Sequence, residues 1–153
     1  MSNASVLDFG VLLNIAFNSF KQALEEDLAE AGFDDIGPSF GYVFRLLSDE
    51  SCSLSELARQ LHMTSPGALK VVDDMVAKGY VLRTTDSTDK RVKRLGLTRR
   101  GRAALERARE FHARREQALA DRLGSRRVAA TREVLSALAD AENGMRIHRP
   151  RTA

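Results

Sequence analysis

Between Val6 and Ala31 the apolar residues Leu7, Val11, Leu12, Ile15, Phe17, Phe20, Leu24 and Leu28 fall on nearly every side of a helix of period 3.6. One core-facing stripe needs fewer, so the pattern predicts a helix that buries two faces. Gly32 and the Gly37-Pro38 pair end it, and Ser39 to Leu47 reads as a short second helix carrying Phe40, Tyr42, Val43, Phe44, Leu46 and Leu47. Ser53-Leu54-Ser55-Glu56 then spells a capping box, in which the serine hydroxyl meets a free amide of the first turn and the glutamate reaches back. That places a third helix from Leu54 to Leu61. Ser65 reads as the N-cap of a fourth, with Pro66 in the first helical position, where its missing N–H has no partner to lose. Gly79, able to take a left-handed cap conformation, ends it.

Beyond Gly79 the period changes. Val81 to Thr84 and Val92 to Leu97 have strand composition, and the segment between them, Thr85 to Arg91, is too charged for a core. These are two strands of a hairpin with a polar tip. Thr98 caps a long helix whose stripe of Leu105, Ala108, Phe111 and Leu119 runs to Leu123. Gly124-Ser125 interrupts it, and a last helix follows from Arg126 to Met145 with Val128, Leu135, Leu138 and Met145 in register, before a tail, Ile147 to Ala153, read as frayed. The fold class is therefore mainly α with a small β-hairpin wing. Two short helices joined by a tight turn and followed by the hairpin make a winged helix-turn-helix.

A length of 153 residues suits one domain. Cys52 is the single cysteine, and no leader-like segment or long uncharged apolar span is visible, which points to a cytoplasmic protein with no internal disulfide and no place in a membrane. The net charge of +3 hides an asymmetry: five cations against twelve carboxylates up to Gly79, and fifteen cations against six carboxylates from Tyr80 to Arg127. A basic second half points to a polyanionic partner, although such runs also serve simply as solvated helix faces. His62, His112 and His148 lack the paired spacing of a metal site, so no metal or cofactor is expected, and Cys52 reads as a small half-buried apolar residue. No Ser/His/Asp arrangement or glycine-rich phosphate loop is present, which leaves no support for an enzyme.

In the fourth helix two buried stripes compete. Ala68, Val71, Val72 and Met75 would turn Gly67, Leu69, Lys70 and Asp74 outward, whereas Leu69, Val72 and Val76 would make a stripe nearly as apolar. Under the first, Thr64, Ser65, Pro66, Gly67, Leu69 and Lys70 are the candidate DNA-facing set. The small residues let the backbone approach a major groove, Lys70 suits a phosphate or guanine, and Leu69 suits a thymine methyl.

The order SLSELARQL, TSPGALKVVDDMVAKGYV and TDSTDKRVKRLGLTRRG resembles the core of the MarR family of bacterial winged-helix transcription regulators. Its most specific piece is Asp89-x-Arg91 followed by Leu95-x-Leu97-Thr98-x-x-Gly101. The resemblance implies a homodimer, with dimerisation helices in segments 5–35 and 99–147 and a DNA-binding lobe at 36–98. It implies a sequence-specific regulator of double-stranded DNA with a pseudo-palindromic operator, expected to be a repressor. The wing set is Asp89, Lys90, Arg91, Lys93 and Arg94, with Arg91 in the minor groove and Asp89 orienting the tip. Asp74 departs from the basic residue common in the family at that place. The family often binds small aromatic effectors between dimer helices and lobe. Phe17, Phe40, Phe44, Phe111 and His112 are the aromatic candidates for such a pocket, and equally for a packed core. The alternative to operator binding is a winged-helix dimer acting through protein contacts alone.

Overall fold

The structure is a computed structural model that describes residues 7–143. Met145 and the tail from Ile147 lie outside the described residues. Two compact units divide the chain between Ile36 and Gly37.

The first unit holds α1 (Phe9–Glu30). It ends as the glycine predicts: Gly32 takes φ 87°, its N–H bonds the Ala29 carbonyl and the Phe33 N–H reaches the Leu28 carbonyl. Its burial within one chain is slight. Leu28 is the one residue of α1 that is buried, and Phe9, Val11, Leu12, Leu13, Ile15 and Phe17 all stand exposed. The apolar faces that its sequence implies stand open among the described residues.

The second unit comprises α2 (Phe40–Asp49), β1 (Cys52–Ser53), α3 (Leu54–Gln60), α4 (Ser65–Ala77), β2 (Val81–Thr85), β3 (Lys93–Leu97), α5 (Arg99–Leu123) and α6 (Ser125–Asn143). The capping box at α3 forms as read, with the Glu56 N–H donating to Ser53 Oγ at 3.2 Å and the Ser53 N–H to Glu56 Oε2 at 2.7 Å. The start of α4 lies one residue earlier than expected. Thr64 is the N-cap, its Oγ1 accepting from the Gly67 N–H at 3.2 Å, and Ser65-Pro66 already belong to the first turn. A Cβ on Gly67 would sit 3.1 Å from that hydroxyl, so the glycine keeps the cap uncrowded.

Helices α3 and α4 end in the same paired turn. The Met63 and His62 N–H groups bond the Ala58 and Arg59 carbonyls, and the Tyr80 and Gly79 N–H groups bond those of Met75 and Val76. Gly79 takes φ 76° freely; His62 takes φ 52° in the equivalent place, a conformation that side chains with a Cβ rarely adopt. The sheet is three-stranded and antiparallel, in the order β1-β3-β2, rather than a bare hairpin. Cys52 pairs with Leu95 and Ser53 with Arg94, which ties the start of α3 to the wing.

The core of this unit gathers around Tyr80. Its ring packs edge-on against Phe40 and Phe44, with centroids 5.9 and 5.5 Å away, and Val43, Leu57, Val72, Met75, Val81 and Leu95 are buried with it. The Tyr80 carbonyl accepts from the Thr98 N–H at 3.0 Å, Thr98 Oγ1 donates to the Gly79 carbonyl at 2.6 Å, and the same oxygen accepts from the Gly101 N–H at 3.0 Å. The first turn of α5 thereby lies directly against the link between α4 and β2. A Cβ on Gly101 would come within 2.2 Å of the Tyr80 carbonyl oxygen. Glycine to alanine inside a helix ordinarily stabilises by about 1 kcal/mol; here the obstacle is backbone and no rotamer relieves it. Gly101→Ala is expected to destabilise the protein by about 2 kcal/mol or more. Urea unfolding checks this, and an unchanged or higher midpoint would show that the crossing is not tight.

Candidate nucleic-acid interface

The structure decides the rotation of α4. Ala68, Val72 and Met75 are buried, Val71 and Val76 are half-buried, and Leu69, Lys70, Asp73 and Asp74 are exposed. Of the two stripes open in the sequence, the one centred on Ala68 and Met75 is the core stripe. Thr64, Ser65, Pro66, Leu69 and Lys70 then share an accessible surface near the positive end of the helix, with Gly67 half-buried among them. Lys70 makes no ion pair among the described residues. Asp74 is answered within its own helix, by Lys78 Nζ at 2.9 Å, and Asp73 by the Arg83 guanidinium of β2. The two carboxylates of this face are thus partly neutralised where they stand.

The tip of the wing is shaped by carboxylates. Asp86 Oδ1 accepts from the Thr88 hydroxyl at 2.6 Å, the Thr88 N–H at 2.8 Å and the Asp89 N–H at 3.2 Å. Asp89 Oδ1 accepts from the Arg91 N–H at 3.0 Å, and the Val92 N–H closes the turn on the Asp89 carbonyl at 3.0 Å. Asp89 therefore grips the backbone of Arg91. Lys90 and Arg91 themselves are exposed and carry no ion pair among the described residues. Lys93 Nζ leans on Thr85 Oγ1 at 3.1 Å.

Arg94 stands apart from the rest of the wing set. Its guanidinium donates to the Ser51 carbonyl and lies 3.6 Å from Glu56 and 3.9 Å from Asp86, so it is turned inward as a tie between the cap of α3 and the tip turn. Arg100 likewise lies over the Tyr80 ring, 4.7 Å from its centroid. Sequence reasoning missed Asp86, Asp73 and Arg83. The Asp86-Ser87-Thr88 run carried a usable signal for the first, since aspartate two residues before threonine favours such a turn.

The aromatic candidates separate. Phe40 and Phe44 are buried against each other, centroids 6.2 Å apart, and against Tyr80. Phe111 is buried and meets His112 edge-on at 5.9 Å; burial, and next to it the charge of Arg45, pulls the His112 pKa below its ordinary value, with Glu116 opposing. Phe17 is exposed on α1. A cleft of about 560 Å³ lies elsewhere, lined by residues that include Arg45, Cys52, Glu56, Arg59 and Arg94. Cys52 is half-buried there, and burial raises its thiol pKa, Glu56 adding and Arg94 subtracting. Among the described residues no group of three His, Cys, Asp or Glu gathers as a metal site would require, and no helix is long and apolar enough to cross a membrane.

Residues 38–93, which run from the start of α2 to the start of β3, match the sequence model of the MarR family. The winged-helix segment is a MarR family domain. Members of the MarR family are transcription regulators and not enzymes. Among solved structures, the chain is similar to the transcriptional repressor CouR bound to a 23-mer DNA duplex, at 27% identity over 86% of this chain and 92% of that one, TM-score 0.68. FabT of Streptococcus pneumoniae in complex with DNA shares the fold at 21% identity, 87% and 96% coverage and TM-score 0.68. A mutant form of MarR from E. coli complexed with operator DNA does so at 23% identity, 87% and 94% coverage and TM-score 0.65. No curated protein sequence matches the chain.

The tip turn of the wing has a pH signature. The Thr88 hydroxyl first, then the Thr88 and Asp89 N–H groups, hold the Asp86 carboxyl at about 2, below its ordinary 3.8, with Arg94 adding a little. A depressed carboxylate pKa gives order that is complete above the unfolded value and is lost as pH falls through the folded one. Protection of the Thr88 and Asp89 amides is expected to hold from neutral pH down to about 4 and to fade towards about 2. NMR-detected amide exchange reads it, and fading already near pH 6 would mean that Asp86 does not make the turn.

Proposed function

We propose that the chain is a homodimeric, sequence-specific double-stranded-DNA-binding transcription regulator of the cytoplasm, acting as a repressor that a small, aromatic effector releases. The observation that carries the DNA-binding reading is the exposed pair Lys90-Arg91, without an ion pair among the described residues, held out on a tip that Asp86 and Asp89 have already turned. Duplex DNA concentrates negative potential in its minor groove. Arginine is favoured there over lysine because its weakly hydrated guanidinium loses less on entry. In this reading Arg91 enters the minor groove, and Thr64, Ser65, Pro66, Gly67, Leu69 and Lys70 meet the major groove. Lys93 serves as a phosphate contact, Arg94 works from behind as a tie, and Asp89 orients the tip without touching phosphate. A pseudo-palindromic operator follows from the two-fold symmetry of a dimer.

The dimer itself rests on apolar surface left uncovered. α1 exposes Phe9, Val11, Leu12, Ile15 and Phe17, and Leu119, Leu123, Leu135 and Leu138 stand out on α5 and α6. Soluble monomers seldom leave apolar patches beyond a few hundred Å², so segments 5–35 and 99–147 are the dimerisation helices of this proposal. For the effector, Phe17 is the exposed member of the aromatic set and His112 the half-buried, polar one; Phe111 is buried, and Phe40 and Phe44 are committed to the Tyr80 cluster.

Light scattering at micromolar concentration is expected to show a dimer, and a helical monomer would remove the assembly. In fluorescence polarisation with DNA from upstream of its own gene, Arg91→Ala should cost about 1 to 3 kcal/mol per half-site. Asp89→Ala should also weaken binding, although it removes a negative charge. If Arg91→Ala binds as well as the parent, or Asp89→Ala binds more tightly, the basic segment is only a solvated surface and the protein-contact reading takes its place.

A further inference from the structure

The outer wing has little of the core to rest on. In β2 only Val81 is buried, and Leu82, Arg83, Thr84 and Thr85 are all exposed. Yet Arg83 is paired with Leu95, and Val81 with Leu97, so Arg83 shares the face of the sheet that packs inward. From there its guanidinium meets the Asp73 carboxylate, on the exposed side of α4, across ten residues of sequence. Arg94, the neighbour of Leu95, lies on the opposite face and ties β3 to the Ser51 carbonyl and to Glu56. Each strand of the wing is thus fastened by one arginine, on opposite faces, to a different helix of the helix-turn-helix.

From this arrangement we infer that Asp73 and Arg83 are positioning residues: the pair braces β2 against the recognition helix and fixes the distance between α4 and the wing tip, and Arg83 itself makes no phosphate contact. The inference deepens the DNA-binding reading of α4 and the wing and rests on it. Simple electrostatics predicts otherwise on both counts, since an exposed aspartate on a DNA-facing helix should repel phosphate and an arginine beside it should attract phosphate. With the guanidinium already satisfied by carboxylate, the two effects cancel locally, and what remains is geometry.

The test uses the full chain as Asp73→Asn, Arg83→Gln and the double variant. Without DNA, amide exchange along β2 beyond Leu82 should quicken by about two- to fivefold in all three, the double no faster than either single, while the global unfolding midpoint stays in place. With a duplex from upstream of its own gene, each variant should bind about two- to fivefold more weakly per half-site, and the slope of affinity against salt should not change. Unchanged exchange would overturn the brace. So would tighter binding by Asp73→Asn, which would make the carboxylate a simple repellent, or a salt slope lowered by about one unit in Arg83→Gln, which would make the guanidinium a phosphate contact. Should the parent bind no duplex, the exchange measurement still decides the brace, and the failure belongs to the DNA-binding reading.

Discussion

The Tyr80 carbonyl is where four elements of the lobe meet, and the arrangement of the rest follows from how closely they are allowed to approach it. α4 has just ended at Gly79 and β2 is about to begin; β3 returns beside it, and Thr98 starts α5 by bonding the same short stretch of backbone. Only a residue without a Cβ fits at Gly101, since one added carbon would lie 2.2 Å from the oxygen. Because Tyr80 is also fully buried among Phe40 and Phe44, the ring below and the carbonyl above fix one another. The angle at which the hairpin leaves the core is therefore set by packing at its base.

Further out, carboxylates replace packing as the organising groups. The segment from Lys90 to Arg100 is densely cationic, yet its shape comes from Asp86, Asp89, Asp73 and Glu56, each accepting hydrogen bonds or an ion pair from the wing or from its own cap. Cations so held separate into two kinds. Arg83, Arg94 and Arg100 are engaged by carboxylates, a carbonyl or a ring. Lys70, Lys90 and Arg91 remain exposed. A count of positive charge along the chain treats these groups alike, whereas the structure gives them different work.

That difference explains what the sequence could and could not disclose. Helix ends were legible because each is set by a local chemical signal: the Ser53 and Glu56 box, the glycines at 32 and 79, the hydroxyl of Thr98. The helix order and the hairpin were legible for the same reason. The strand at Cys52–Ser53 was not, because two residues have no period and exist as a strand only by pairing with β3. The cap of α4 was placed one residue late because Thr64 and Ser65 are both good caps and tertiary context chose between them. Ties such as Asp73 to Arg83 and Arg94 to Ser51 join residues distant in sequence, and no periodicity announces them. The amount of apolar surface on α1 was legible, because composition records how much exists, although not what covers it.

The turn at Asp86 to Asp89 spans four residues and closes chiefly on its own side chains. A loop of this kind has already surrendered its conformational freedom before anything touches it. The entropy that a floppy tip would lose on contact has been lost in advance. Short hydrogen bonds within a turn are also insensitive to ionic strength, while attraction between an exposed guanidinium and a distant polyanion is screened within about 10 Å at 0.1 M salt. Raising salt should thus slow an encounter with any polyanion without blurring the shape of the turn that arrives.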